Sequence, residues 1–148
     1  MESFPAVALA VTMVASAVTD LGGRRIPNLL TGGAAGVAIL LAGFGLSIGL
    51  VESLAAAVIV GLPLAALAIL KPDGFGMGDA KLIGVMALFM GWAVWVPLIT
   101  GLGLATLVGI GIGLVRCSRS TDSFGLPLAP FLAASTVPFL AVSVPLLH

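Results

Sequence analysis

The residues able to do chemistry in this sequence are Asp79, at the end of Gly76-Met77-Gly78-Asp79, and a second aspartate, Asp20. Each stands at the edge of a long apolar run. An ionisable side chain there is costly and marks a functional site by default. Glycine-rich polar backbone beside a membrane span is costly too, unless it lines a cavity or cleft. Two aspartates held close do not both ionise; they share a proton around a bound water. The ionised carboxylate takes a proton from the water as it attacks a peptide carbonyl. The protonated one donates to the carbonyl oxygen and later helps the amine leave. Such a pair titrates as one unit and requires no metal, no cofactor and no covalent nucleophile. Gly76 and Gly78 would permit backbone angles, and a close approach of an extended substrate, that a side chain forbids. Taken alone, Gly74, Gly76 and Gly78 read equally well as a turn, because short glycine motifs match by chance.

The elements that must bring the two acids together are membrane spans. Of 148 residues, 60% are hydrophobic and only 8% charged. A soluble domain is usually about 45–50% apolar and about 25% charged. With a mean hydropathy of +1.28, the composition excludes a soluble globular protein and indicates one integral membrane domain. The net charge is zero, which gives no electrostatic reason to expect nucleic acid as a partner. A single cysteine, Cys117, and a single histidine, His148, exclude an intramolecular disulfide, a Cys-x-x-Cys knuckle and a histidine-rich metal site.

Apolar runs at about 4–19, 29–50, 51–70, 80–96, 98–115 and 126–147 predict an all-α bundle of six transmembrane helices with active-site loops at one face, Asp20 opening the loop after the first span and Asp79 closing the loop before the fourth. Ala15-Ser16-Ala17 resembles a signal cleavage site, but Met1-Glu2 supplies no basic segment, so the first run is expected to be a retained span. Asn28 is a plausible N-cap for the second helix. Gly43, Gly45, Gly49 and Glu52 mark the second reversal, Lys71-Pro72-Asp73 the break after the third span, and Pro97 and Gly101 the fourth reversal. Trp92 and Trp95 favour a membrane interface. Pro127 and Pro130 suit the first turn of the last helix, and Pro138 predicts a kink. Gly32, Gly36, Gly45, Gly49, Gly109 and Gly113 suit close helix packing inside the bundle, with a homo-oligomer not indicated.

With this segmentation, Arg24, Arg25, Lys71, Lys81, Arg116 and Arg119 fall on one side, and they are all the Lys and Arg in the chain. The positive-inside rule makes that side cytoplasmic and puts both termini outside. Two spans separate Asp20 from Asp79, so both carboxylates emerge on the cytoplasmic face at similar depth. Glu52 lies on the opposite side. Asp73 reads as a turn residue and Asp122 as a solvated loop acid. Lys81 reads first as an inside-charge anchor, and otherwise as a group that lowers the pKa of a nearby carboxylate or holds a substrate or lipid group; Arg24 and Arg25 read first as topology determinants and anionic-lipid contacts.

Asp20 followed by Ile26-Pro27-Asn28, then Gly76-Met77-Gly78-Asp79 with Lys81 after it, resembles the type IV prepilin peptidases, which are membrane aspartyl proteases of the GxGD kind. Leu126-Pro127-Leu128-Ala129-Pro130-Phe131 is similar to the start of that family's last helix. The resemblance implies that Asp20 and Asp79 are the catalytic pair, with Pro27, Asn28, Gly76, Met77, Gly78 and Lys81 forming the surrounding substrate-binding segments. It implies cleavage of a short leader from prepilins and pseudopilins at the cytoplasmic face of the bacterial inner membrane. The chain lacks the paired Cys-x-x-Cys domain of the larger members that also N-methylate the new terminus. It looks like the short branch serving Tad/Flp pili, which implies peptidase activity alone. Two other classes fit the composition: a small ion- or proton-coupled transporter using both acids, and a non-catalytic subunit of pilus or secretion assembly. Transporter acids sit near the midplane, whereas these lie at one face.

Overall fold

α4 (Met77–Met90) is a buried helix of the bundle. Its residues Ala80, Leu82, Ile83 and Val85–Met90 are all buried. A helix apolar on every side belongs inside a bundle. α4 packs most extensively on α3 (Leu50–Leu70) and also touches α2 (Asn28–Gly43) and α1 (Ser3–Gly23). After α4 a short 3-10 turn, Gly91–Val94, leads into α5 (Trp95–Arg116), and α6 (Ala129–Leu146) packs against both α5 and α1. The computed structural model describes residues 3–23, 27–70, 76–116 and 128–146, and among these every regular element is helical.

α1 shows how a nearly uniform apolar sequence still acquires two faces. Val7, Val11, Val14 and Val18 are exposed, whereas Leu9, Met13, Ser16 and Asp20 are buried. Both sets recur every three or four residues, so each forms one stripe of the helix. The valine stripe is stiff and apolar, suited to lipid. The other stripe carries the polar groups inward against the bundle.

Two close approaches fix the packing. A Cβ added to Gly61 in α3 would lie 3.3 Å from the Gly84 Cα in α4. A side chain on the α3 side would push α4 away by a few tenths of an ångström, so glycine favours the close approach. At the far end of α4, a Cβ on Gly91 would meet Glu52 Oε1 at 3.0 Å. Pairing of Gly61 with Gly84 and of Glu52 with Gly91 makes α3 and α4 antiparallel. It also puts Glu52 at the end of α4 opposite Asp79, as expected. On the other side of the bundle, Ser135 Oγ donates to the Pro97 carbonyl at 2.8 Å, tying α6 to α5.

Several expected boundaries move. α2 stops at Gly43 because Gly45 has φ +69 and the Leu46 N–H reaches back to Leu41 O at 2.9 Å, a glycine-dependent helix stop. The break after α4 falls at Gly91, where φ is +55, and not at Pro97 and Gly101. Pro97 instead lies in the first turn of α5, where its missing N–H costs nothing. Trp92 and Trp95 flank this break, 45% and 43% exposed, at the end away from Asp79. α6 runs unbroken through Pro138, and α3 through Pro63. Gly32, Gly36, Gly45 and Gly49 face open space and do not make the close contacts expected of them; Gly61 does.

By length and composition, three stretches can cross a membrane: Phe4–Gly22, Leu50–Leu70 and Met77–Ile112; the apolar helices Asn28–Gly43 and Ala129–Val142 are shorter. The protein is an all-helical, multi-pass membrane protein. Arg24, Arg25, Lys71, Pro72, Asp73, Gly74, Cys117, Arg119, Asp122, Pro127 and His148 lie outside the described residues, and so do the readings that rested on them.

Candidate active site

Asp20 and Asp79 are both helix residues, which corrects the expectation that they stand in loops. α1 continues through Asp20 and ends at Gly23, so Asp20 occupies its last turns. The helix persists because its backbone N–H groups still find carbonyls one turn back. α4 begins at Met77, so Gly78 and Asp79 lie in its first turn. Gly76 caps α4 in an extended conformation, φ −73 and ψ 137, and its carbonyl accepts the N–H groups of Asp79 (3.1 Å) and Ala80 (3.2 Å). Neither Gly76 nor Gly78 adopts a positive φ. The glycines therefore do not provide the unusual backbone angles expected of them. The need at position 76 is for space.

Asp20 is 7% exposed, and its Oδ2 is buried with no hydrogen-bond partner among the described residues. A buried carboxylate oxygen without a partner is rare enough to call for an explanation in chemistry. Asp79 is half-buried, and the Asp20 carboxylate lies close enough to act on it electrostatically. α1 and α4 are in contact, and the two acids lie within electrostatic reach of each other. Ser16, which the sequence reading passed over, is fully buried one turn before Asp20, and its hydroxyl also lacks a partner among the described residues. The spacing of Ser16 to Asp20 on one helix face was the available signal.

The remaining expected site residues gather at the same end of the bundle. Pro27, not Asn28, caps α2; it is extended, φ −60 and ψ 131, and its carbonyl accepts the Leu30 and Thr31 N–H groups. Asn28 is the first residue of the helix, and its side chain makes no capping bond. Its Oδ1 instead accepts a hydrogen bond from Lys81 Nζ at 2.8 Å. Lys81 is thus engaged within the chain, across from α4 to α2. Met77 is 38% exposed at the mouth, beside exposed Gly76 and half-buried Gly78. Among the described residues, no group of three or more His, Cys, Asp or Glu has the spacing to hold a metal.

A family model described as the type IV leader peptidase family matches residues 7–115. The match includes both aspartates, the Asn28–Lys81 pair and α2 to α4 in full. The chain belongs to that family. Its general activity is accordingly that of a membrane peptidase acting on leader-bearing substrates. Searches of curated proteins and of solved structures found no match.

Proposed function

We propose that the protein is an aspartyl endopeptidase that removes the short leader from Tad/Flp-type prepilins and pseudopilins at the cytoplasmic face of the inner membrane. The observation that supports this reading is the electrostatic action of Asp20, in the last turns of α1, on Asp79, in the first turn of α4, between two helices in contact. One of the pair, ionised, removes a proton from water. The water oxygen bonds to the scissile carbonyl carbon, and the other aspartic acid passes its proton to the carbonyl oxygen. The tetrahedral diol then collapses. A proton moves to the departing nitrogen, the C–N bond breaks, and the pair returns to its singly protonated state.

Further parts of the reading follow the charge pattern and the family. All six helices span or nearly span the bilayer, with the Asp20–Asp79 end cytoplasmic and both termini outside. Met77, Gly76 and Gly78 line the approach for an extended substrate segment, whose adjoining apolar helix lies in the bilayer. The activity is peptidase alone, without methyl transfer.

Co-expression with a Flp-type prepilin, followed by leader removal on a gel, tests the reading. Wild type cleaves. Asp20→Asn and Asp79→Asn each lower cleavage at least about 10³-fold while the chain stays folded in the membrane. Undiminished cleavage in either variant removes the dyad assignment.

A further inference from the structure

The hydrogen bond from Lys81 Nζ to Asn28 Oδ1, at 2.8 Å, joins two segments that are distant in sequence and adjacent to the two acids. Lys81 follows Asp79 on α4, where consecutive positions point in different directions. α4 packs against both α1 and α2. Asp79, in its first turn, thus lies within electrostatic reach of Asp20, and Lys81, at the start of the next turn, reaches Asn28. Asn28 opens α2, in the segment that follows the helix carrying Asp20. The contact therefore closes a ring: Asp20, the end of α1, the start of α2, Asn28, Lys81, the start of α4, and Asp79.

We infer that Lys81 and Asn28 form a clasp that holds Asp79 in register with Asp20, and that both are positioning residues of the dyad. The inference rests on the dyad reading given above. The first turn of a helix has the fewest backbone bonds of its own, and the tether at Lys81 steadies it from the turn that follows. Gly76, which caps that turn, supplies no side-chain bond to hold it. The Asn28 amide is available because the Pro27 carbonyl, and not the Asn28 side chain, takes the first N–H groups of α2. Lysine has three donors and no acceptor, and it reaches the amide oxygen on a flexible stem. The bond is charge-assisted, which makes it stronger than one between neutral groups.

Two measurements test the clasp. In a Cys117→Ser background, Asp20→Cys and Asp79→Cys are bridged in membranes with a short bis-thiol reagent. Adding Lys81→Met or Asn28→Ala is expected to slow bridging at least about threefold, and adding both is expected to slow it no further than either alone, the signature of one shared interaction. In the chain with both aspartates intact, each single change is expected to lower kcat for prepilin cleavage about tenfold, with KM within about twofold, and Asn28→Asp, which retains the acceptor, restores most of it. Unchanged bridging, losses that multiply, or a raised KM at constant kcat overturns the clasp; the last would assign Lys81 to substrate. The bridging assay needs no activity. If the aspartate-to-asparagine variants still cleave, the dyad reading fails while bridging continues to report on the clasp.

Discussion

The carboxylate of Asp79 lies over the α-carbon of Gly76: a methyl group added there would sit 3.1 Å from Asp79 Oδ2 and 3.8 Å from its Cγ. That separation forces the carboxylate to yield by a few tenths of an ångström. Misplacement of a reacting group by about 1 Å can cost about 10²-fold in rate. Gly76→Ala is therefore expected to lower kcat about three- to tenfold, and Gly76→Val, which cannot yield, about 10²-fold. Steady-state cleavage of a prepilin peptide in detergent or nanodiscs checks both. Equal activity of all three chains would show that the carboxylate does not need this space.

A dyad that works with one shared proton is inactive when both groups are protonated and when neither is. The pH profile of kcat/KM should be bell-shaped, with limbs that belong to the pair. Asp20→Asn or Asp79→Asn removes the bell along with the activity. A profile with a single limb across the accessible range would argue against a shared proton.

Gly61 and Gly84 face each other, but their environments differ. A Cβ at Gly61 meets the Gly84 backbone at 3.3 Å, whereas one at Gly84 meets nothing within 4 Å. Gly84→Ala is expected to be neutral or slightly stabilising, since alanine is the better helix former. Gly61→Ala is expected to destabilise by about 1 kcal/mol and Gly61→Leu by about 1–3 kcal/mol, because α3 must move off α4. Thermal unfolding in detergent reads the order. The reverse order would mean that the helices do not meet at this pair.

At the other end of α4, Gly91 combines a φ of +55 with the Glu52 carboxylate and Ile48 side chain against its α-carbon. Gly91→Ala introduces backbone strain of about 1–3 kcal/mol. It should lower the unfolding temperature while leaving KM for prepilin unchanged, since the proposed site lies at the opposite end of the helix. Glu52→Gln keeps the shape of the contact and is expected to cleave normally. Loss of cleavage in Glu52→Gln would connect that end of α4 to catalysis.

The positions of the two acids were readable from hydropathy because each interrupts an apolar run. Span counting then put them on one face. The inward orientation of Asp20 was also readable, in the Val7, Val11, Val14 and Val18 stripe that faces away from it. The helix ends were less so. Gly45 and Gly91 stop helices through positive φ, but glycines with no such role, such as Gly32 and Gly36, look identical in the sequence. Pro97 looked like a break and is a start, because proline is acceptable in a first turn. Asp20 and Asp79 looked like loop residues because hydropathy ends where charge begins, while backbone hydrogen bonding continues. The Lys81–Asn28 bond depends on how α2 sits against α4, a tertiary relationship that neither residue's local context carries.

The two-faced character of α1 has a consequence for how the site is kept assembled. Turning the helix by a single residue, about 100°, would carry Asp20 from the bundle toward the acyl chains and bring valines inward. A carboxylate facing lipid costs about 2.5–3.5 kcal/mol at the bilayer centre and less near its surface. The bilayer thus penalises the wrong rotation of α1 without touching the correct one. Lipid acts here as an outer wall of the enzyme, and a thinner or more hydrated membrane would loosen the aspartate's aim before it loosened the fold.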